Sequence, residues 1–553
     1  MPEKLPVSHR RKPGPKPVKE RKGMRKLKQL LCGLLAMALL AGALPAAHAA
    51  GGNVQIGGSA LSEGKNSIGG GTATLNTAAG TLVLENVILG GSLSIRSASA
   101  FTVIVLGTNS FAPGKDIIAL RADTPALAIR LQQGSSLTLS ARGSANAVYC
   151  PAGSLTAEGP GSLTASSEEY PALWVQKDVA LEGGLKAGLS SDSQAVYSAS
   201  GGIAVDSASL TACSRDAAIF AEGASTGGAC PGTSVVLRNS EVSLDTTQGY
   251  DAVWAAQGGI LVEDSTVDIQ TRKDADGGYA LYSEGNITIR GAGTRLTASS
   301  AYGIGALENM EVEAGALDAS AYEGSAFSAR AMHISGGQVH AYSAADSALC
   351  TTGGTLAVTG ESASVTAVSE NAKKPAVYSY GDGGIYLDAD VSAENTAGGR
   401  PFEGVDKTAG ASDAITLGAG CEAVGVKVHT VPEAPGTASP GVRSWFVPED
   451  GGQAPGKVTV CRHVWGAPVW SWAQDYSAAC ATFTCEKDAA HTRTAQAVVT
   501  SEARGGSTAY TATVSFEGKT YTDEKTVAGQ QDGGTGSTPA PVPAHKTNPK
   551  TGV

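Results

Sequence analysis

Residues 251–270 read DAVWAAQGGILVEDSTVDIQ, and the same alternation of apolar and polar positions returns with other letters. It appears as QAVYSASGGIAVDSASLTA at 194–212, YALYSEGNITIRGAGTRLTA at 279–298 and SALCTTGGTLAVTGESASVTA at 347–367. Aligned on one apolar residue, the phrases fall at Val148, Leu173, Val196, Ile219, Val253, Leu281, Ile304, Phe327, Leu349 and Val377. The intervals are 25, 23, 23, 34, 28, 23, 23, 22 and 28 residues, a period that signals a solenoid. The Leu framework and Asn position of a leucine-rich repeat are missing. Pairs such as Ile260/Val262 and Val267/Ile269 alternate with polar residues between Gly, Asn and Ser-Gly punctuation, so each rung predicts short strands joined by turns. Three strands per rung make the fold all-β, a parallel β-helix of about 10–13 rungs of roughly 23 residues, over residues 50–430. The longer intervals are loop insertions, and the less regular strands from Thr72 to Phe111 predict a capping end.

Because the anchor column faces the core, the next residue of each rung points outward. That column reads Tyr149, Trp174, Tyr197, Phe220, Trp254, Tyr282, Gly305, Ser328, Cys350 and Tyr378. Seven of the chain's 29 aromatic residues fall there. With rungs stacked about 4.8 Å apart, they predict a ring ladder along one outer sheet. Exposed, the ladder suits the C–H faces of a sugar polymer, which makes these seven residues the candidate ligand-binding set. An inward aromatic stack, or a ladder covered by loops, is the competing reading.

The rungs AVYS…GG[IL]xVxxSxVxI, over roughly residues 70–400, resemble right-handed β-helix surface proteins of clostridia and relatives of the carbohydrate-binding type. The resemblance implies a right-handed solenoid and a plant cell-wall polysaccharide, including acidic pectin, as ligand class. An acidic polymer would need Ca²⁺ or local Lys/Arg to bridge it to this chain.

Catalytic signatures are sparse. The chain has no Asp-Asp, Gly-His-Gly or Arg-Ile-Lys, and no His-Glu-x-x-His or phosphate loop. Asp274 and Asp276 in KDADGG read as a solvated loop, and His333 and His340 as surface histidines. A non-catalytic protein is therefore expected, with a polysaccharide lyase as the third reading.

The two ends place the chain outside a cell. A basic head, the apolar run LLCGLLAMALLAGAL and small residues at Ala47 and Ala49 predict a signal peptide over 1–49, with Met24 the better start. Removing it takes away 11 of the 41 basic and two of the 51 acidic residues, so the mature chain carries a net charge near −19. That charge, without basic stripes, argues against nucleic acid as a partner. No membrane span is expected in the mature chain.

Past residue 528 the composition turns to Gly/Ser and then Pro, the signature of an extended linker over 529–553. It ends in Asn548, Pro549, Lys550, Thr551 and Gly552, which resembles a sortase sorting signal with Asn in place of the commonest Leu. The resemblance implies sortase and the Gram-positive cell wall as partners. The family pattern continues into an apolar helix and a basic tail, and the chain ends at Val553 before either.

Residues 431–457, rich in Pro and Gly, read as a linker, and 458–528 as a small β module with a terminal hairpin. Its Cys-x-His-x-Trp-Gly-x-Pro-x-Trp opening and Cys-x4-Cys-x5-His middle resemble a module repeated in surface proteins of Gram-positive gut bacteria. That family carries further cysteines after the VTSE step, and this copy has none. Cys461, His463, Cys485 and His491 form a candidate Cys₂His₂ zinc set, and a disulfide using Cys480 competes with it. Trp465, Trp470 and Trp472 are expected in the module's core. Cys213 with Cys230 would brace the longest insertion. The expected whole is a secreted, wall-attached protein binding polysaccharide along its aromatic face, with a structural stalk or protein-binding adhesin as the alternative.

Overall fold

The computed structural model describes residues 53–528 apart from 226–230, 249, 272–276, 409, 433–440 and 453–454. The leader, the sorting motif, Asp274, Asp276 and Cys230 lie outside the described residues.

The repeat folds into a parallel β-helix. Each rung contributes one strand to each of three parallel sheets, as Val148–Cys150, Ser154–Glu158 and Ser162–Ser167 do in one rung. The first sheet stacks thirteen such strands among the described residues, from Leu93–Arg96 to Phe402–Asp406. The anchor column pairs in register from rung to rung, Val148 to Leu173, Leu173 to Val196 and Val196 to Ile219. All ten anchors are buried. Burying each such side chain contributes about 1.5–3 kcal/mol, and the row continues in one core from the first rung to the last.

The corner between the second and third sheets is tight enough to demand left-handed backbone. Gly183, Ser207, Asn239, Asp264 and Gly291 take φ of 70°, 53°, 48°, 45° and 86° there in successive rungs. Gly tolerates this conformation freely and Asn and Asp better than most, which is why those letters punctuate the repeat. The 34-residue interval carries its surplus after Ala221, where the Ser225 amide donates to the Thr233 carbonyl and the Ser225 carbonyl accepts from the Gly232 amide, each at 2.9 Å, at the neck of an insertion.

A column of small polar residues runs inside the solenoid at the end of the third sheet. Ser167, Ser191, Ser214 and Thr246 stack in register, as do Ser343, Ser369 and Asn395. Their side chains bond carbonyls of the turn that leads back to the first sheet. Ser191 Oγ donates to the Tyr170 carbonyl at 2.6 Å and Ser369 Oγ to that of Asp346 at 2.8 Å. These buried hydroxyls satisfy turn backbone that would otherwise be stranded.

Both ends are closed by antiparallel strands. Asn53–Ile56 pairs with Leu93–Arg96, and Gly64–Ile68, Gly71–Asn76 and Thr81–Glu85 form a meander ahead of the first parallel pairing. At the far end, the linker expected over 431–457 is corrected by two strands. Val442–Pro448 pairs with Val426–Pro432 and with Phe402–Asp406 of the last rung. Lys457–Arg462 pairs antiparallel with Ile385–Asn395 and Cys421–Ala423. A last rung exposes a row of unpaired backbone groups and the open end of its core, and these strands cover both. Phe446 meets Phe402 edge-on at 5.4 Å, and Val458 and Val460 are buried. Pro432, Gly441 and Pro448 bound the strands of this cap.

Beyond the cap, two three-stranded antiparallel sheets make the terminal module: Val469–Trp472, Ala479–Thr484 and Thr492–Gln496, then Val498–Arg504, Ser507–Phe516 and Lys519–Ala528. Phe483 stacks on Phe516 at 3.9 Å, with Trp465 and Trp470 packed against that cluster. Trp472 donates its indole N–H to Asp523 at 2.8 Å.

Candidate functional site

The residue after each anchor faces away from the core, and its rings touch. Centroids are 4.8 Å apart for Tyr149–Trp174, 6.0 Å for Trp174–Tyr197, 5.3 Å for Tyr197–Phe220 and 4.4 Å for Phe220–Trp254. Tyr282 follows Trp254 in register. The ladder is thus continuous over six rungs.

It is not an open platform. Phe220 is 1% exposed, Trp254 and Tyr282 6% each and Tyr149 8%. The middle of the column forms a second apolar cluster with Ala217, flanked by Tyr197, Ala256 and Tyr279. The expectation that all seven rings contact ligand is corrected accordingly: four are shut away from solvent. The physical reason is that so long a row of rings would expose a large apolar patch, and neighbouring turns lie over it. Tyr279, from the turn before Leu281, stacks on Tyr282 at 5.0 Å and meets Tyr302 at 5.3 Å. Sequence reasoning missed both tyrosines, because they stand two residues before the anchor of their rungs, outside the column. Their position in YAL and AYG is the signal that was there.

Three of the seven rings stay half-buried: Trp174, Tyr197 and Tyr378. Beside Trp174, the Gln176 amide donates to Ser200 Oγ at 3.3 Å. Burial, then the charge and hydrogen bond of Glu222, push the Tyr197 hydroxyl well above the usual phenol range. Tyr378 is separated from the ladder by Gly305, Ser328 and Cys350 and stacks with Tyr380 at 6.4 Å, over which Lys407 sits 3.8 Å from the ring centre.

A charge ladder runs along the outer face of the second sheet. Glu158, Glu182, Asp206, Arg238, Glu263 and Arg290 occupy consecutive rungs in register. Glu263 accepts from Arg238 and Arg290, each at 2.7 Å. Hydrogen bonding to Arg290 leads the effects that hold its carboxyl below the usual range. Glu182 lies between two carboxylates. Burial, with Glu158 and Asp206 adding to it, raises its pKa.

His333 and His340 are exposed, His333 beside Thr359 at 2.9 Å and His340 beside Asp318 at 3.2 Å. The side chains of His340 and Asp318 are 52% and 59% exposed, so solvent screens the pair. Burial pushes the thiols of Cys150 and Cys350 up to about 12, which leaves both protonated and unreactive.

The structure brings Cys461, His463, Cys485 and His491 together where the solenoid meets the terminal module. Cys461 is the last residue but one of the capping strand, opposite Glu422 of the solenoid. His463 follows the strand, its amide bonded to the Gly420 carbonyl at 3.0 Å. Cys485 and His491 face each other across one turn of the module, closed by the Cys485 amide on the His491 carbonyl at 2.9 Å. Burial works to raise the Cys485 thiol, but backbone N–H groups of Val464, Lys487 and Asp488 aimed at its sulfur outweigh it and lower the pKa. Cys480 stands apart from the four: on its strand it alternates with buried Ala479 and Ala481 and faces the other way.

Comparison with known proteins returns no matching family, no matching curated protein and no matching solved structure. Among the described residues, no helix is long and apolar enough to cross a membrane.

Proposed function

We propose that this chain is an exported, wall-attached, non-catalytic surface protein whose solenoid serves as a rigid rod, holding a binding surface away from the cell. The observation that carries this reading is the covered ladder. Its central rings are spent on lateral packing between rungs, which stiffens the rod and leaves little ring face for ligand. Thirteen rungs stacked in parallel extend about 60 Å. The basic leader and the Asn548–Gly552 motif support export and sortase attachment at the two ends.

Polysaccharide binding is the second reading, and one observation favours it. Trp174 and Tyr197 keep part of their ring faces open beside an amide, a hydroxyl and a carboxylate, from Gln176, Ser200 and Glu222. This is room for one or two sugar rings instead of a polymer track.

One experiment separates the two. Chains displayed on cells carry an N-terminal epitope, either intact or lacking two whole rungs (residues 327–376), and a glycan array is run on wild type and Trp174→Ala. Rod function predicts that epitope accessibility falls with the shortened solenoid and that no glycan is retained. Glycan retention that Trp174→Ala abolishes would put the second reading first, and unchanged accessibility would remove the first.

A further inference from the structure

We propose that Cys461, His463, Cys485 and His491 hold a tetrahedral zinc ion that rivets the end of the solenoid to the terminal module. Their donor atoms all lie within 4.8 Å of one another. Tetrahedral zinc, with bonds of about 2.0–2.3 Å, sets neighbouring donors roughly 3.3–3.8 Å apart, so small side-chain rotations close the site. Two thiolates and two imidazoles suit zinc, whereas Ca²⁺ and Mg²⁺ take oxygen ligands.

A second observation points into the same space. The His463 side chain is 2% exposed, and among the described residues neither its Nδ1 nor that of His491 has a hydrogen-bond partner. A buried polar atom left so costs about 1–3 kcal/mol, and a metal bond removes that cost. The far nitrogens already face carboxylates at ion-pair distance. His463 Nε2 lies 3.4 Å from Glu422 and His491 Nε2 3.6 Å from Asp488. That leaves Nδ1 of each ring for the ion, with Glu422 and Asp488 fixing the ring orientation.

Two ligands come from the capping strand and its extension and two from the module, so the ion would cross-link units otherwise joined by few contacts. Among the described residues these include the Trp465–Cys485 bridge, the Glu486 amide on the Val464 carbonyl at 2.7 Å, the Gly466 amide on the Thr484 carbonyl at 3.0 Å, and the surface pairs Lys487–Asp390 at 2.6 Å and Arg493–Glu422 at 3.0 Å. Surface pairs alone contribute little. A junction that must transmit tension from wall to rod gains most from a metal bond there.

The test titrates the full chain with Co²⁺ under reducing conditions and then displaces it with Zn²⁺. The proposal expects intense tetrahedral d–d bands, a thiolate-to-cobalt charge-transfer band, saturation at one equivalent and displacement by Zn²⁺. Cys480→Ser leaves the titration unchanged, Cys485→Ser weakens binding and lowers the charge-transfer intensity, and Glu422→Gln weakens binding about 10-fold. Absence of stoichiometric binding, or a weak octahedral spectrum, from folded wild type would overturn the site. So would a Cys461–Cys485 disulfide, found by peptide mapping of the secreted protein, because it consumes both thiolates.

Discussion

Tyr279 lies across Gly305, the one place in the ladder column where a glycine follows the anchor: a Cβ there would stand 2.5 Å from Tyr279 Cε1. The ring from the turn fills the space that a column side chain would occupy. Gly324 relates to Tyr302 in the same way, with 2.4 Å to Cδ1. Gly305→Ala must push Tyr279 off Tyr282, and overpacking of this kind costs about 1–3 kcal/mol. We expect a lower urea midpoint for the variant. Tyr279→Ala combined with Gly305→Ala should cost less than the sum of the single changes, since the clash is gone.

The position of each ring in the ladder sets what its removal does. Phe220 is fully enclosed, so Phe220→Ala should destabilise its rungs by about 3–5 kcal/mol. Trp174 is half-buried, and its truncation should cost well under half of that. Hydrogen exchange resolved along the chain is the suitable measure, because a solenoid loses structure locally as well as globally. Equal losses of protection for the two variants would contradict the burial pattern.

How far the sequence reached can be traced through these residues. The strand alternation named the inward anchors and the outward column, since faces follow from a period of two. Alternation does not say what lies over an outward residue, so an exposed and a loop-covered ladder read alike, and the structure shows turns from neighbouring rungs enclosing Phe220 and Trp254. The Ser191 and Ser369 column is not legible in the sequence, because a serine at a strand end looks like any turn residue and its inward bond to a turn carbonyl depends on the stacking of rungs. Val442–Pro448 passed for linker because proline and glycine at strand ends resemble a flexible stretch in composition. The four Cys and His residues were legible as a set from their spacing. That two of them sit on the solenoid's cap was not, because it depends on the antiparallel pairing with Cys421–Ala423.

Glu182 makes the charge ladder testable by pH. Its pKa is raised in the folded chain by burial and by Glu158 and Asp206, so the folded state binds its proton more tightly than the unfolded one. By linkage, this group costs stability at neutral pH, and the cost falls away as the pH drops through its folded value toward that of an ordinary glutamate. Like charges facing each other across strands typically cost about 0.2–1 kcal/mol. Glu182→Gln should therefore be the more stable protein at pH 7, with the two unfolding midpoints converging as the solution is acidified. Glu263 has the opposite sign. Its pKa is lowered by Arg290 and Arg238, so its contribution is present above the ordinary glutamate range and is lost as pH falls.

Asn395 closes the inner polar column, and there the column changes chemistry. Its amide donates to the Asn371 and Lys374 carbonyls at 2.9 and 2.7 Å, and its oxygen accepts from the Ala397 and Gly399 amides at 3.2 and 2.8 Å. A serine, which serves in the rungs before it, can satisfy part of this set only. Asn395→Ala strands buried backbone groups of the turn after it and should cost about 1–3 kcal/mol, with Asn395→Ser recovering part of the loss. This turn leads into Phe402–Asp406, the strand to which the cap attaches, so the loss should appear first as exchange of the 402–406 and 442–448 amides. Loss of protection spread evenly over all rungs would instead mean that Asn395 acts on the solenoid as a whole.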